Sequence, residues 1–305
     1  MAGDNKVQKI AIDIGYGDTK VMVGDKIFKF ASAIEKKKEA QADYQDNSDD
    51  VYEFGGKKYT VGDKALTNAV STRGFNFLVK YSPLIIFHAI KMAGLDTSKP
   101  IQLVTGLSIV NWQEREQFTN AIKTINVNNE VIEPKIKLMA QGQGIYLDYD
   151  GEKTEGDVCI VDIGYNTFDF LVFTDGKPRQ DLSYATKKGA NEIITELQTK
   201  IKKRFQFDAS EQVAKKIFIN KSIEIYGENT DLTDEIEDAK KDYAEFVIDE
   251  LRSQRGDLLK VAKKVIFSGG GAYFLDDVEI LKKTPNVTFS SKPYEFANVR
   301  GYYNG

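Results

Sequence analysis

Two residue types with much of the chemistry in proteins are almost missing from this 305-residue chain: it has one cysteine, Cys159, and one histidine, His88. A single cysteine excludes an internal disulfide and any cysteine-cluster metal site, and it fits a reducing compartment. A single histidine cannot supply a two-histidine metal site. It lies in the apolar run SPLIIFHAIKMAG, which reads as a helix with His88 packed or partly exposed on it. A serine triad would have to recruit that same histidine, and the nearest approach to a nucleophile elbow, Gly106-Leu107-Ser108-Ile109-Val110, lacks the closing glycine. There is no apolar run long enough for a membrane helix, and the N-terminal MAGDNKVQK lacks the apolar segment of a secretory signal, so the expected location is the cytoplasm, with no membrane span. Basic excess is also absent. Forty-two Lys and Arg against 46 Asp and Glu leave a net charge of −4 and a pI near 5.4. Such a chain has no electrostatic reason to hold nucleic acid directly, and a link to DNA would need an adaptor protein.

What is present is the balance of a globular protein: 41% hydrophobic and 29% charged residues, with mean hydropathy −0.39. The length favours two compact domains. An internal repeat organises them: IAIDIGYGDTKVMV at 10–23 resembles VCIVDIGYNTFDFLVF at 158–173, with Asp-Ile-Gly-Tyr recurring at 13–16 and 162–165. In both copies an apolar β-type run ends at the Asp, a glycine turn follows and a second β-type run begins, the pattern of strand, tight turn, strand. A second correspondence follows in the same order. IQLVTGLS at 101–108 and VIFSGGGA at 265–272 each run into glycine, 93 residues after Asp13 at Gly106 and 107 after Asp162 at Gly269. Two related α/β domains are expected, 1–155 and 156–305, the last residues returning to the first.

Residues at about 31–80 mix charged clusters with short β-type runs and read as a peripheral subdomain, its acidic stretch at 43–50 a solvated loop. A helix is expected over 82–94, with Pro83 in its first turn and Gly94 as its stop, and another over 111–124 with Glu114 and Glu116 at its start. NEIITELQTKIKKRF at 191–205 carries Ile193, Ile194, Leu197, Ile201 and Phe205 on one stripe, an amphipathic helix. A longer helical region at 233–264 is broken or bent at Gly256.

The first hairpin combines a carboxylate at the strand end, Asp13, permissive backbone at Gly15 and Gly17, and a cation, Lys20. A magnesium nucleoside triphosphate needs all three: amides that approach phosphate oxygens, positive charge on the phosphates, and a carboxylate for the metal or its waters. The second hairpin supplies Asp162, Gly164 and Thr167, with Asp169 at the position that matches Lys20. Rival motifs fit less well. Gly15-x-Gly17 lacks the third glycine of a dinucleotide fingerprint, Lys20 taking its place, and GxxxxGK[ST] occurs nowhere. Gly269, Gly270 and Gly271 offer a third stretch of bare backbone, against which a base or ribose could lie.

The order DIGYGDTK, AQGQGIY, DIGYNTFD, SGGGAYF resembles the actin-like ATPase superfamily, and within it the plasmid-segregation actins of the ParM/StbA type. The resemblance spans roughly residues 8–300 through four motifs. It implies an α/β actin-like ATPase fold, two related RNase H-like domains around a nucleotide cleft. By position, it also implies that Asp13 and Asp162 organise Mg2+ through its waters, and that Gly15, Tyr16, Gly17 and Lys20 hold phosphates from one side. Gly164, Tyr165, Asn166 and Thr167 would do so from the other. Gly269, Gly270 and Gly271 match the adenosine motif, and Gln141, or its neighbour Gln143, falls where the family positions the attacking water. A neutral amide suits that task because it both accepts from and donates to a water. Lys187, Lys188 and the helix at 236–252 would flank the base by order alone. Tyr16 and Tyr165 depart from the pattern, being bulky where small polar residues are usual.

The implied function is an ATPase, ATP or GTP with Mg2+ as cofactors, whose subunits add head to tail into filaments and reach plasmid DNA through a DNA-binding adaptor. Two other functions stay open on sequence. One is a small-molecule kinase of the same superfamily, and the other an ATP-binding scaffold of the pilus-assembly type.

Overall fold

The computed structural model describes residues 7–37, 51–70, 74–150 and 155–305. The acidic stretch at 43–50 lies outside them. The chain forms two compact units, Met1–Glu152 together with Ser290–Gly305, and Lys153–Phe289.

In the first unit, β1 (Gln8–Ile14), β2 (Asp18–Val23) and β3 (Lys26–Ala31) form an antiparallel meander. The β-rich run ahead of Asp13 is buried along most of its length because β1 is interior to the sheet, with β2 on one side and a parallel β7 (Ile101–Leu107) on the other. Between β3 and β7 come β4 (Ile34–Lys36), β5 (Val51–Phe54) and β6 (Lys57–Val61), a small antiparallel sheet, and the helix α1 (Phe75–Ala93). The small sheet is less peripheral than its charged sequence suggests: Ile34, Tyr52, Tyr59 and Val61 are buried in the same core as Ile10 and Ile12 of β1.

Helix α1 begins seven residues earlier than the sequence suggests, with Pro83 inside it and not in its first turn. Phe77, Leu78 and Tyr81 extend the buried face of Leu84 and Ile85 backwards, and that burial outweighs the hydrogen bond Pro83 cannot donate. Gly94 ends the helix in a left-handed conformation, φ 71°, as expected of it. His88 is buried on this helix, its Nδ1 2.7 Å from the Tyr52 hydroxyl and its ring edge-on to Phe30.

The chain continues through a 3-10 turn at Ile109–Glu114 into α2 (Arg115–Ile122), so the helix expected over 111–124 is shorter and starts as a tighter coil. A two-stranded ribbon, β8 (Ile125–Val127) and β9 (Glu130–Ile132), leads to β10 (Lys135–Ala140), parallel to β7, and to α3 (Gln143–Asp148).

The second unit repeats this plan. Strands β11 (Asp157–Ile163) and β12 (Phe168–Thr174) form the hairpin, with β13 (Lys177–Pro178) and β14 (Tyr184–Thr186) beside β12. Helix α4 (Asn191–Phe205) has the bounds its stripe dictates, with Ile193, Ile194, Leu197 and Ile201 buried. Then α5 (Glu211–Asn220) and the hairpin β15 (Ser222–Ile225) with β16 (Glu228–Asp231) enclose a satellite core around Leu197, Ile217 and Ile223. The long α6 (Thr233–Val261) is kinked at Arg255, one residue before the Gly256 expected to mark its bend. It leads to β17 (Lys264–Ser268), parallel to β11, then a short α7 (Glu279–Lys282) and β18 (Val287–Phe289), parallel to β17. The sheet orders β10-β7-β1-β2-β3 and β18-β17-β11-β12-β13 are the same path walked twice.

After β18 the chain packs on the first unit as α8 (Ala297–Asn304), whose Val299 and Tyr302 are buried with Ala11, Val104 and Met139. Among the described residues no helix is long and apolar enough to cross a membrane.

Candidate functional site: two carboxylate-and-glycine hairpins

Each unit carries the same hairpin in the same register. Asp13 pairs with Lys20 across β1 and β2, and Asp162 pairs with Asp169 across β11 and β12. The turns close alike, Gly15 N–H donating to the Asp18 carbonyl at 3.2 Å and Gly164 N–H to the Thr167 carbonyl at 2.9 Å. In both copies the aspartate is buried, 5% exposed at Asp13 and 8% at Asp162, while the four residues that follow the strand are half-buried. The arrangement leaves turn backbone open to a ligand directly beyond a sunken carboxylate.

In the first unit the buried carboxylate has two polar neighbours. Gln141 Nε2 donates to Asp13 Oδ1 at 2.8 Å, and the Lys20 ammonium lies near enough to act on it electrostatically. Burial pushes the Asp13 carboxyl above its ordinary value of 3.8, opposed by the charge of Lys20 and the hydrogen bond from Gln141. Lys20 Nζ donates to the Asp18 carbonyl at 3.1 Å and stands 3.2 Å from where a side chain at Gly15 would begin. Any residue but glycine at 15 would therefore crowd the ammonium and the Asp18 carbonyl. Gln141 follows β10, with its N–H on the Leu107 carbonyl, whereas Gln143 opens α3. Of the two glutamines considered, Gln141 is the one hydrogen-bonded to Asp13.

In the second unit the three consecutive glycines divide by role. Gly269 (φ 83°) lies with its missing side chain directed at Asp162 Oδ1 and the Ile163 carbonyl, both 2.5 Å from a would-be Cβ. At Gly271 a Cβ would run into the Ile163 side chain and lie 3.3 Å from Ala190. These two permit the chain to lie on the end of β11, and only Gly270 has open space beside it.

Gly189, which no motif singles out, supports the same hairpin from below. A Cβ there would strike the Tyr165 and Gly164 carbonyls and the Thr167 N–H at 2.5–2.6 Å. Just beyond it, the N–H groups of Ala190 and Asn191 donate to the Gly164 and Tyr165 carbonyls at 2.9 and 2.8 Å. A lone glycine ahead of an amphipathic helix is too common for its role to be visible without the fold.

The two bulky tyrosines turn away from the backbone they follow. Tyr16 Oη accepts from Asn111 Nδ2 at 3.4 Å, and Tyr165 Oη donates to Glu211 Oε1 at 2.7 Å, with Lys215 Nζ 4.1 Å from the Tyr165 ring centroid and 2.8 Å from the same carboxylate oxygen. Each ties its turn to a neighbouring helical segment. Tyr165→Phe is expected to cost about 1 kcal/mol or less, since one partly exposed hydrogen bond is lost, and to lower the melting midpoint only slightly. A thermal melt of the variant checks this. Lys187 and Lys188 are exposed, the latter with its ammonium 4.9 Å from the Phe246 ring centroid of α6.

Among the described residues no group of three or more His, Cys, Asp or Glu gathers to hold an ion. A sparse set of hard carboxylates, Asp13 in one half and Asp162 beside its cross-strand partner Asp169 in the other, suits a magnesium ion carried by phosphates and waters, in contrast to a metal caged by the protein. The bare backbone at Gly15, the ammonium beneath it and the sunken Asp13 fit a metal-bound polyphosphate.

This duplicated sheet with its paired hairpins defines an actin-like protein. Two family models divide the chain between them, "Actin like proteins N terminal domain" over residues 11–144 and "Archaeal actin homologue MreB-like, C-terminal" over 160–279, and the chain belongs to the actin-like superfamily. Among solved structures it is similar to the archaeal actin homologue Ta0583, with 22% identity, 98% of each chain covered and a TM-score of 0.82. A further structure of that homologue is a complex with ADP. The chain is also similar to ParM in a 15-stranded filament from Clostridium botulinum (21% identity, 98% of each chain, TM-score 0.77) and to Bacillus thuringiensis ParM with ATP (18% identity, 98% of this chain and 97% of that one, TM-score 0.69). No curated protein sequence matches the chain.

Proposed function

We propose that the protein is a filament-forming nucleotidase, which binds a magnesium nucleoside triphosphate through its carboxylate-and-glycine hairpins, assembles head to tail in that state and hydrolyses the nucleotide within the polymer. The single observation that carries this reading is the matched register of the hairpins, each presenting open turn backbone beyond a buried aspartate. Similarity to proteins whose structures are a filament, an ADP complex and an ATP complex supports it.

In this reading the amides of Gly15, Tyr16, Gly17, Gly164, Tyr165, Asn166 and Thr167 face phosphate oxygens, and Lys20 offsets their charge. Asp13 and Asp162 would hold the ion through its waters, and the ion would supply positive charge to polarise the terminal phosphate. Gln141, its amide nitrogen engaged by Asp13, keeps its carbonyl oxygen to orient the attacking water. Gly269, Gly270 and Gly271 pass beside the nucleoside. Plasmid segregation through a DNA-binding adaptor follows from the resemblance to ParM, and the net charge of −4 favours an adaptor over direct contact with DNA.

The test is light scattering and phosphate release measured together as the protein concentration is raised with magnesium and ATP or GTP. Scattering above a threshold concentration, with release climbing along with it, is the expected result. Release that depends on an added sugar or acetate would point to a kinase, and nucleotide binding without scattering at any concentration would point to a scaffold.

A further inference from the structure

Gln141 is followed by Gly142, whose backbone (φ 85°, ψ −30°) lies in a region that side-chain-bearing residues rarely adopt. That turn is held from two directions. The Gln141 N–H donates to the Leu107 carbonyl at 3.0 Å, and the Gly142 N–H donates to the side-chain oxygen of Asn298 at 2.8 Å. Asn298 belongs to α8, 156 residues further along the chain, and is 5% exposed.

The placement of Asn298 is itself fixed. Helices α3 and α8 cross at Gly144 and Gly301, where a Cβ on either glycine would collide with the other helix's backbone. Arg300 Nε donates to both Asp148 carboxylate oxygens at 3.0 Å, and its Nη atoms reach the Pro293 and Ser291 carbonyls. The Lys9 ammonium donates to the Tyr303 carbonyl. A side chain held this firmly makes a rigid acceptor.

We infer that Asn298 is a positioning residue for hydrolysis: by accepting from the Gly142 N–H it fixes the turn from which Gln141 reaches Asp13 and the attacking water. The inference rests on the proposed role of Gln141. It goes beyond that role by placing control of the glutamine's backbone on the last helix described.

Three variants test it, each read by hydrogen exchange of the Gly142 amide in the nucleotide-free protein and by steady-state phosphate release. Asn298→Ala removes the acceptor. The Gly142 amide should exchange roughly tenfold faster, and kcat should fall by up to about 100-fold with KM little changed, because a small misplacement of a catalytic group is enough for that. Asn298→Asp keeps an oxygen in place and should restore both readouts towards wild type. Lys9→Met loosens α8 without touching Gly142 and should lower the melting midpoint while leaving kcat as it was.

Unchanged Gly142 exchange in Asn298→Ala, or an unchanged kcat, overturns the inference. So does an Asp variant as slow as Ala, or a Lys9→Met variant that loses kcat in step with stability. If the wild type hydrolyses no nucleotide while Asn298→Ala still releases Gly142 for exchange, the positional role stands and the proposed nucleotidase function fails.

Discussion

Asp13→Asn is expected to abolish nucleotide-dependent assembly and to cut phosphate release by more than about 100-fold, while making the nucleotide-free protein more stable. The two effects share one cause. Burial raises the Asp13 carboxyl above 3.8, so the folded chain holds that proton more tightly than the unfolded chain does. As the pH rises through 3.8 towards the raised folded-state value, the folded state loses stability from this group, and above that value the loss is complete. Asparagine removes that loss and can still accept from Gln141. Melting curves should therefore show the variant above wild type at neutral pH, and the gap should close at pH values below 3.8, where wild-type Asp13 is neutral in both states. A variant less stable than wild type at neutral pH would mean that Lys20 and Gln141 overcompensate the burial. The tension between stability and use is expected of a group placed to meet a cation.

Gly301→Ala should have the largest effect on the fold. Its new methyl would land on the Gly144 carbonyl, an atom of backbone that cannot step aside as a flexible side chain would. Overpacking of this kind costs about 3 kcal/mol or more, which lowers the melting midpoint by roughly 6–12 °C for a unit of this size. Gly256→Ala is the contrast. It lies in α6 with nothing within 4 Å of its would-be Cβ, so added helix propensity should stabilise the chain by up to about 1 kcal/mol. Both are read by thermal unfolding followed by circular dichroism.

These variants also mark what the amino-acid sequence revealed and what it hid. The paired strands and turns were legible because an apolar run, a terminal aspartate and glycine all fall within about a dozen residues, and α4 was legible because its stripe is purely local. Helix α1 was misjudged at its start, since Pro83 is a strong local signal and the burial of Phe77 and Tyr81 against distant strands is not a local quantity at all. The same limit applies to the site. Asp13, Gly15 and Lys20 announce themselves within eight residues, whereas Gly189, Asn298 and Gly301 matter through what lies against them, over separations that no spacing rule spans. Likewise Tyr16 and Tyr165 depart from the pattern of small polar residues, and their hydroxyls bond to Asn111 and Glu211, partners 95 and 46 residues away.

Because Ser290–Gly305 completes a unit begun by the first residues, the order of biosynthesis differs from the order of completion. As the nascent chain leaves the ribosome, Lys153–Phe289 is continuous and can mature as soon as it emerges, while the earlier-made sheet must wait, its Ala11, Val104 and Met139 surface uncovered, for α8 to arrive. The Gln141 turn gains its Asn298 support only then, so translation intermediates would carry the Asp13 hairpin before the turn beside it is held in place.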